Sequence, residues 1–153
     1  MRRKDREITD QTEIKAIMEE AMVCRLGLCD ENEPYIVPLS FGIEGNTLYV
    51  HSAQEGRKID MIKKNNTVCF EVETAIELVK GEIPCNWTMN YCSVIGKGKA
   101  YLLQDSKEKK KGLDCIMKKY SKEDSFEYSD NMLNRVAVIK IEIEEISGKQ
   151  RQD

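Results

Sequence analysis

Along residues 136–146 the chain alternates Ile139, Ile141 and Ile143 with Lys140, Glu142 and Glu144. A period of two is the mark of a strand with one face buried and the other in solvent. A sheet is therefore required. Residues 24–29 read as another strand, Asp30-Glu-Asn-Glu33 as a turn, residues 35–43 as the next strand, and Glu44-Gly-Asn46 as a hairpin turn into residues 48–50. A further strand is predicted from residue 67 to about 78. A long strand over residues 91–103 follows, with Gly96 and Gly98 as bulges or points of close backbone approach.

Helices punctuate this pattern. Asp10 with Glu13 forms a capping box, and Ile14, Ile17, Met18, Ala21 and Met22 recur at helical spacing, which predicts an amphipathic helix over residues 10–22. Gly56 opens a second helix that ends near Asn65 and Asn66. Asp105 with Glu108 caps a third, highly charged one that ends near Tyr120 and carries a narrow apolar stripe of Leu113, Ile116 and Met117. Residues 121–134 are polar and read as irregular. Short strands with a few helices between them point to an antiparallel β-barrel whose ends the helices cover. At 153 residues the chain is the size of one domain, 1–153, around one core.

Charge and cysteines narrow the function. A formal charge of −3 and a pI near 5.4 leave no electrostatic footprint for DNA or RNA. The charged start of the chain leads into no apolar segment, and no apolar run approaches bilayer length, so a cytoplasmic protein without membrane contact is expected. The six cysteines then read as thiols, with Cys24, Cys69 and Cys115 as small core hydrophobes. Cys24/Cys29 and Cys85/Cys92 are too widely spaced for zinc and His51 is the single histidine, so no metal site is expected.

Chemistry concentrates in His51-Ser-Ala-Gln-Glu-Gly-Arg-Lys-Ile59, a strand end, a tight turn and the start of a helix. Two adjacent cations, Arg57 and Lys58, stand where the helix dipole disfavours them unless an anion is present. Arg57 offers a two-pronged fork, Lys58 a point charge, and the backbone N–H groups around Gly56 complete a phosphate cradle.

This segment, with residues 34–43 before it and Ser93-Val-Ile-Gly-Lys-Gly-Lys-Ala100 after it, resembles the flavin-binding split barrels, the pyridoxamine phosphate oxidase-like proteins. The resemblance covers residues 25–100 and more loosely extends to 149. It is nearest to the branch named for 5-nitroimidazole resistance. It implies an FMN-binding split β-barrel of antiparallel Greek-key type, a homodimer with flavin at the subunit interface. By that resemblance Arg57, Lys58 and Gly56 hold the FMN phosphate, Val37, Pro38, Leu39 and Ser40 run under the flavin ring, His51 and Ser52 face the ribityl chain, and Ser93 lies beside the flavin. Trp87 and Tyr91 approach from the neighbouring subunit; Trp87 reads equally as an interface filler.

On residues alone His51 reads as a structural histidine. The resemblance makes it the substrate-side group, either a proton donor or, in a haem-binding variant of the barrel, an iron ligand. Oxidases of pyridoxamine phosphate carry a serine where this chain has Gly56, a cation near where it has Ser40, and a Trp- and Arg-rich end unlike residues 146–153. The resemblance therefore implies a flavin-dependent reductase of small acceptors such as nitroaromatic compounds, with NAD(P)H or a partner as electron donor. A haem-handling protein and a non-catalytic flavin-binding module are the alternatives.

Overall fold

The computed structural model describes residues 3–123 and 125–152. Its strands are β1 (Glu7–Ile8), β2 (Cys24–Asp30), β3 (Glu33–Leu39), β4 (Phe41–Glu44), β5 (Thr47–Ala53), β6 (Thr67–Val79), β7 (Thr88–Leu102) and β8 (Val136–Arg151). The helices are α1 (Gln11–Glu20), α2 (Arg57–Lys64), α3 (Ser106–Tyr120) and α4 (Asp130–Arg135). All pairings are antiparallel, in the order β3-β2-β6-β7-β8-β5-β4, with β1 added to β8. Because β2 lies beside β6 and β5 beside β8, the sheet is not a meander, and its two outermost strands, β3 and β4, are neighbours in sequence through Ser40. No ladder joins β3 to β4 among the described residues, which leaves the barrel split there.

The strands close around Leu26, Phe41, Leu48, Val50, Val72, Val94, Ile139 and Ile141, all fully buried. Alternation sets which residues enter. On β6, Val68, Phe70 and Val72 point inward, which turns Cys69 outward to solvent; Cys24 is buried and Cys115 partly so. The expectation that Cys69 is a core residue is thus corrected by the period of two.

Both glycines of β7 are sites of close approach. A methyl on Gly96 would collide with the Phe70 ring, and one on Gly98 with the Glu142 carbonyl oxygen. The β7–β8 register slips by one residue beside Gly98, with Glu144 as the extra residue of the bulge. A second bulge in β6 between Thr74 and Glu77 contains Ala75 at φ +53.

Two of the helix starts follow the sequence reading: Asp10 accepts from the Thr12 amide, and Asp105 from the amides of Lys107 and Glu108. Three readings are revised. The strand expected over 35–43 breaks at Ser40, because the Phe41 amide donates to the Tyr120 hydroxyl (3.0 Å) instead of to a ladder. The stretch read as irregular over 121–134 ends in α4, which starts at Asp130 and is capped by Ser129. The last strand continues past 146 to Arg151, held by both β7 and β1.

Candidate functional site

The turn between β5 and α2 has the geometry that its glycine requires. Gly56 sits at φ +118 and ψ +168, a region open to glycine and costly for other residues, and a methyl built there meets nothing within 4 Å. Its carbonyl accepts from the Ile59 and Asp60 amides, so the N–H groups of Arg57 and Lys58 precede the first amide with a partner inside the helix. Arg57 places Nη2 2.8 Å from Glu33 Oε1, with its guanidinium carbon 4.8 Å from the Tyr35 ring centroid. Both partners belong to β3. The anion that the cation pair called for is therefore, within this chain, the Glu33 carboxylate. Lys58 is half-buried and has no ion pair among the described residues.

β3 is the end strand of the sheet path, so every second backbone N–H and C=O along it points away from β2 with no partner strand. Pro38 lies on that strand, as its missing N–H demands. Register separates the side chains: Val37 and Leu39 are partly buried against the core, whereas Pro38 is exposed and lies opposite Arg25. Ser40, at the break, is exposed.

His51 is exposed near the end of β5, opposite Val138 of β8, and its side chain has no hydrogen bond among the described residues. Ser52 donates to the Ala53 carbonyl (2.8 Å). Both stand on the strand that leads into the Gly56 turn.

Trp87, Tyr91 and Ser93 lie elsewhere. Trp87 is 49% exposed, with Lys80 5.9 Å from its ring. Ser93 donates to the Lys149 carbonyl (3.4 Å), and the Lys149 ammonium stands 5.8 Å from the Tyr91 ring. Burial works to raise the pKa of the Tyr91 phenol, but hydrogen bonds with Lys149 and Arg6 outweigh it and set the phenol below the ordinary tyrosine value. β7 is three strands from β3 on the sheet path, about 14 Å at the usual spacing. One protomer does not unite this group with the β3–α2 group along the sheet.

Three residues beside the site escape sequence reasoning. Tyr35 and Glu33, which fix the Arg57 fork, are 22 and 24 positions away from it, and only the fold joins them. Arg25, opposite Pro38, bonds Glu71 (3.1 Å) and Glu73 (2.7 Å) across the outer face of the sheet. Its single charge on the outward side of β2, beside Gly27 and Cys29, is the signal the sequence offers for it.

The sequence model of pyridoxamine 5′-phosphate oxidase matches residues 10–150. The chain belongs to that family. Among solved structures it is similar to a candidate 5-nitroimidazole antibiotic resistance protein from Bacteroides thetaiotaomicron, with 39% identity over 94% of this chain and 86% of that one and a TM-score of 0.84. The flavocytochrome Anf3 of Azotobacter vinelandii shares the fold at 24% identity, with a TM-score of 0.87 over all of this chain and 72% of that one. An uncharacterized protein of Rhizobium meliloti is 31% identical over 65 residues, and that match spans 42% of each chain.

Proposed function

We propose that the protein binds FMN and acts as a flavin-dependent reductase of small acceptors such as nitroaromatic compounds. The observation that carries this is the Gly56 turn: an open backbone at positive φ, two leading N–H groups, and a guanidinium already oriented between Tyr35 and Glu33. These residues fit a phosphate. Arg57 binds it by its remaining N–H edge, Lys58 adds a point charge, and the amides of the first turn supply aligned donors. The bound flavin supplies electron transfer from NAD(P)H or a partner to the acceptor. The chain supplies position: the outward edge of β3 offers backbone donors and acceptors to a planar ring at Val37, Pro38, Leu39 and Ser40, and Ser52 stands by the cradle. His51, exposed and without a side-chain hydrogen bond among the described residues, can hold a proton for the acceptor at a ring nitrogen. The similarity to the Bacteroides protein supports an acceptor of the nitroimidazole type.

The working unit is a homodimer. The β6–β7 hairpin exposes Ile76, Leu78, Ile83, Trp87 and Met89, each 41–55% accessible, and a run of large apolar side chains on one arm marks an interface. A second copy seated there brings Trp87, Tyr91 and Ser93 to the flavin, as one protomer does not. Among the described residues no helix is long and apolar enough to cross a membrane, and we assign the protein to the cytoplasm. The test is reconstitution with FMN and with haem, read by absorbance and nitro-compound-dependent oxidation of NAD(P)H. Flavin bands with turnover support the proposal. A Soret band on its own, tied to His51, favours the haem reading, and flavin without turnover leaves a binding module.

A further inference from the structure

The turn between β2 and β3 holds α2 at both of its ends. Asp30 and Glu33 face each other across that turn in register, and Glu31 and Asn32 between them lie at φ +48 and +69, the left-handed pair that closes a two-residue hairpin. Asp30 Oδ2 accepts from Lys64 Nζ in the last turn of α2 (2.7 Å), and Asn65, the next residue, donates from Nδ2 to the Cys29 carbonyl (2.9 Å). At the first turn of the same helix, Glu33 Oε1 meets Arg57 Nη2 at 2.8 Å. The fold therefore delivers the Glu33 carboxylate to the Gly56 turn. There it takes one arm of a guanidinium whose central carbon lies 4.8 Å from the Tyr35 ring.

We propose that Glu33 sets the specificity of the cradle, admitting a flavin that ends in one phosphate, FMN, and rejecting one that continues into a second phosphate, FAD. The inference rests on the reading of the Gly56 turn as a phosphate site. With Glu33 on Nη2, the donors left to a ligand are the rest of the Arg57 fork, the Lys58 ammonium and the two leading N–H groups. A terminal phosphate presents three acceptor oxygens, and this set of donors satisfies it. A second phosphate beside the first needs a further cationic donor. The arm of Arg57 that could supply one is held by a carboxylate, which also repels the added charge. Discrimination between two ligands that share one end is achieved by such a repulsive element. Glu33 acts through Arg57 and is a positioning residue.

The test is competitive loading. The full chain is equilibrated with FMN and FAD in equal excess, and separately with FMN and riboflavin, and the flavin retained after gel filtration is extracted and separated by chromatography. The wild-type protein is expected to retain FMN over FAD, and FMN over riboflavin, by about tenfold or more each. Glu33→Gln keeps the shape of the side chain and removes its charge. It is expected to lower the FMN-to-FAD ratio about threefold or more, the size of effect an exposed charge supports, while the FMN-to-riboflavin ratio does not fall and the melting temperature stays level. A fall in the melting temperature and in both ratios together would make Glu33 merely structural and overturn the assignment. Equal retention of FMN and riboflavin by the wild-type protein overturns the cradle and this assignment with it. A clear preference for FMN over riboflavin, with FAD retained as well as FMN or with an FMN-to-FAD ratio that Glu33→Gln leaves unmoved, overturns the assignment and leaves the cradle standing.

Discussion

Arg57 and Lys58 carry the proposed cofactor contact. Each charge-assisted hydrogen bond to a phosphate contributes roughly 1.5–3 kcal/mol, so the Arg57→Ala/Lys58→Ala protein should fold yet purify without flavin, measured as the ratio of visible to ultraviolet absorbance. His51→Ala is a different kind of change. The side chain is exposed and unbonded among the described residues, so melting temperature and flavin content should stay level while reoxidation by a nitro acceptor slows by about 10²–10⁴-fold. A normal single-turnover rate would remove His51 from the proton-donor role. The Gly-Arg-Lys turn was legible because all its information is local: a glycine, two cations and a helix start within three positions. Tyr35 and Glu33 were not, since nothing in a linear chain says which strand lies beneath an arginine more than twenty residues on.

At the scale of elements, the corner between β3 and β4 depends on α3. The Tyr120 hydroxyl accepts from the Phe41 amide (3.0 Å) and donates to the Met22 carbonyl (2.8 Å), and Lys119 donates to the carbonyls of Met18 and Glu19, so the end of α3 ties α1 to that corner. Tyr120→Phe leaves a part-buried N–H without its acceptor. It should lower stability by about 1–3 kcal/mol in denaturant unfolding, and an unchanged midpoint would show that the corner is held by packing alone. Strong periodicity made β2, β6 and β8 readable, and the capping residues Asp10 and Asp105 located their helices. α4 was missed because six residues with one buried position, Leu133, make no periodic pattern. The break at Ser40 was missed because its cause is a hydroxyl 79 residues away from Phe41. Cys69 was misplaced by its apolar neighbours, although the alternation of Val68, Phe70 and Val72 contained the answer.

For the whole molecule, the proposed dimer through the apolar β6–β7 arm would make assembly and cofactor binding one equilibrium. Leu78 and Met89 face each other in register and are both exposed in the protomer. Replacing them by Leu78→Glu and Met89→Glu should give a folded monomer by light scattering with most of its flavin lost, because in the proposed dimer the groups that complete the site come from the second copy. A monomer that keeps one FMN per chain would separate the two. The most direct measurement of the central claim is the visible spectrum and extracted cofactor of the purified protein reconstituted with FMN, beside the Arg57→Ala/Lys58→Ala protein treated identically. The result expected is flavin absorbance with about one FMN per chain in the first and none in the second; equal flavin in both, or none in either, contradicts it.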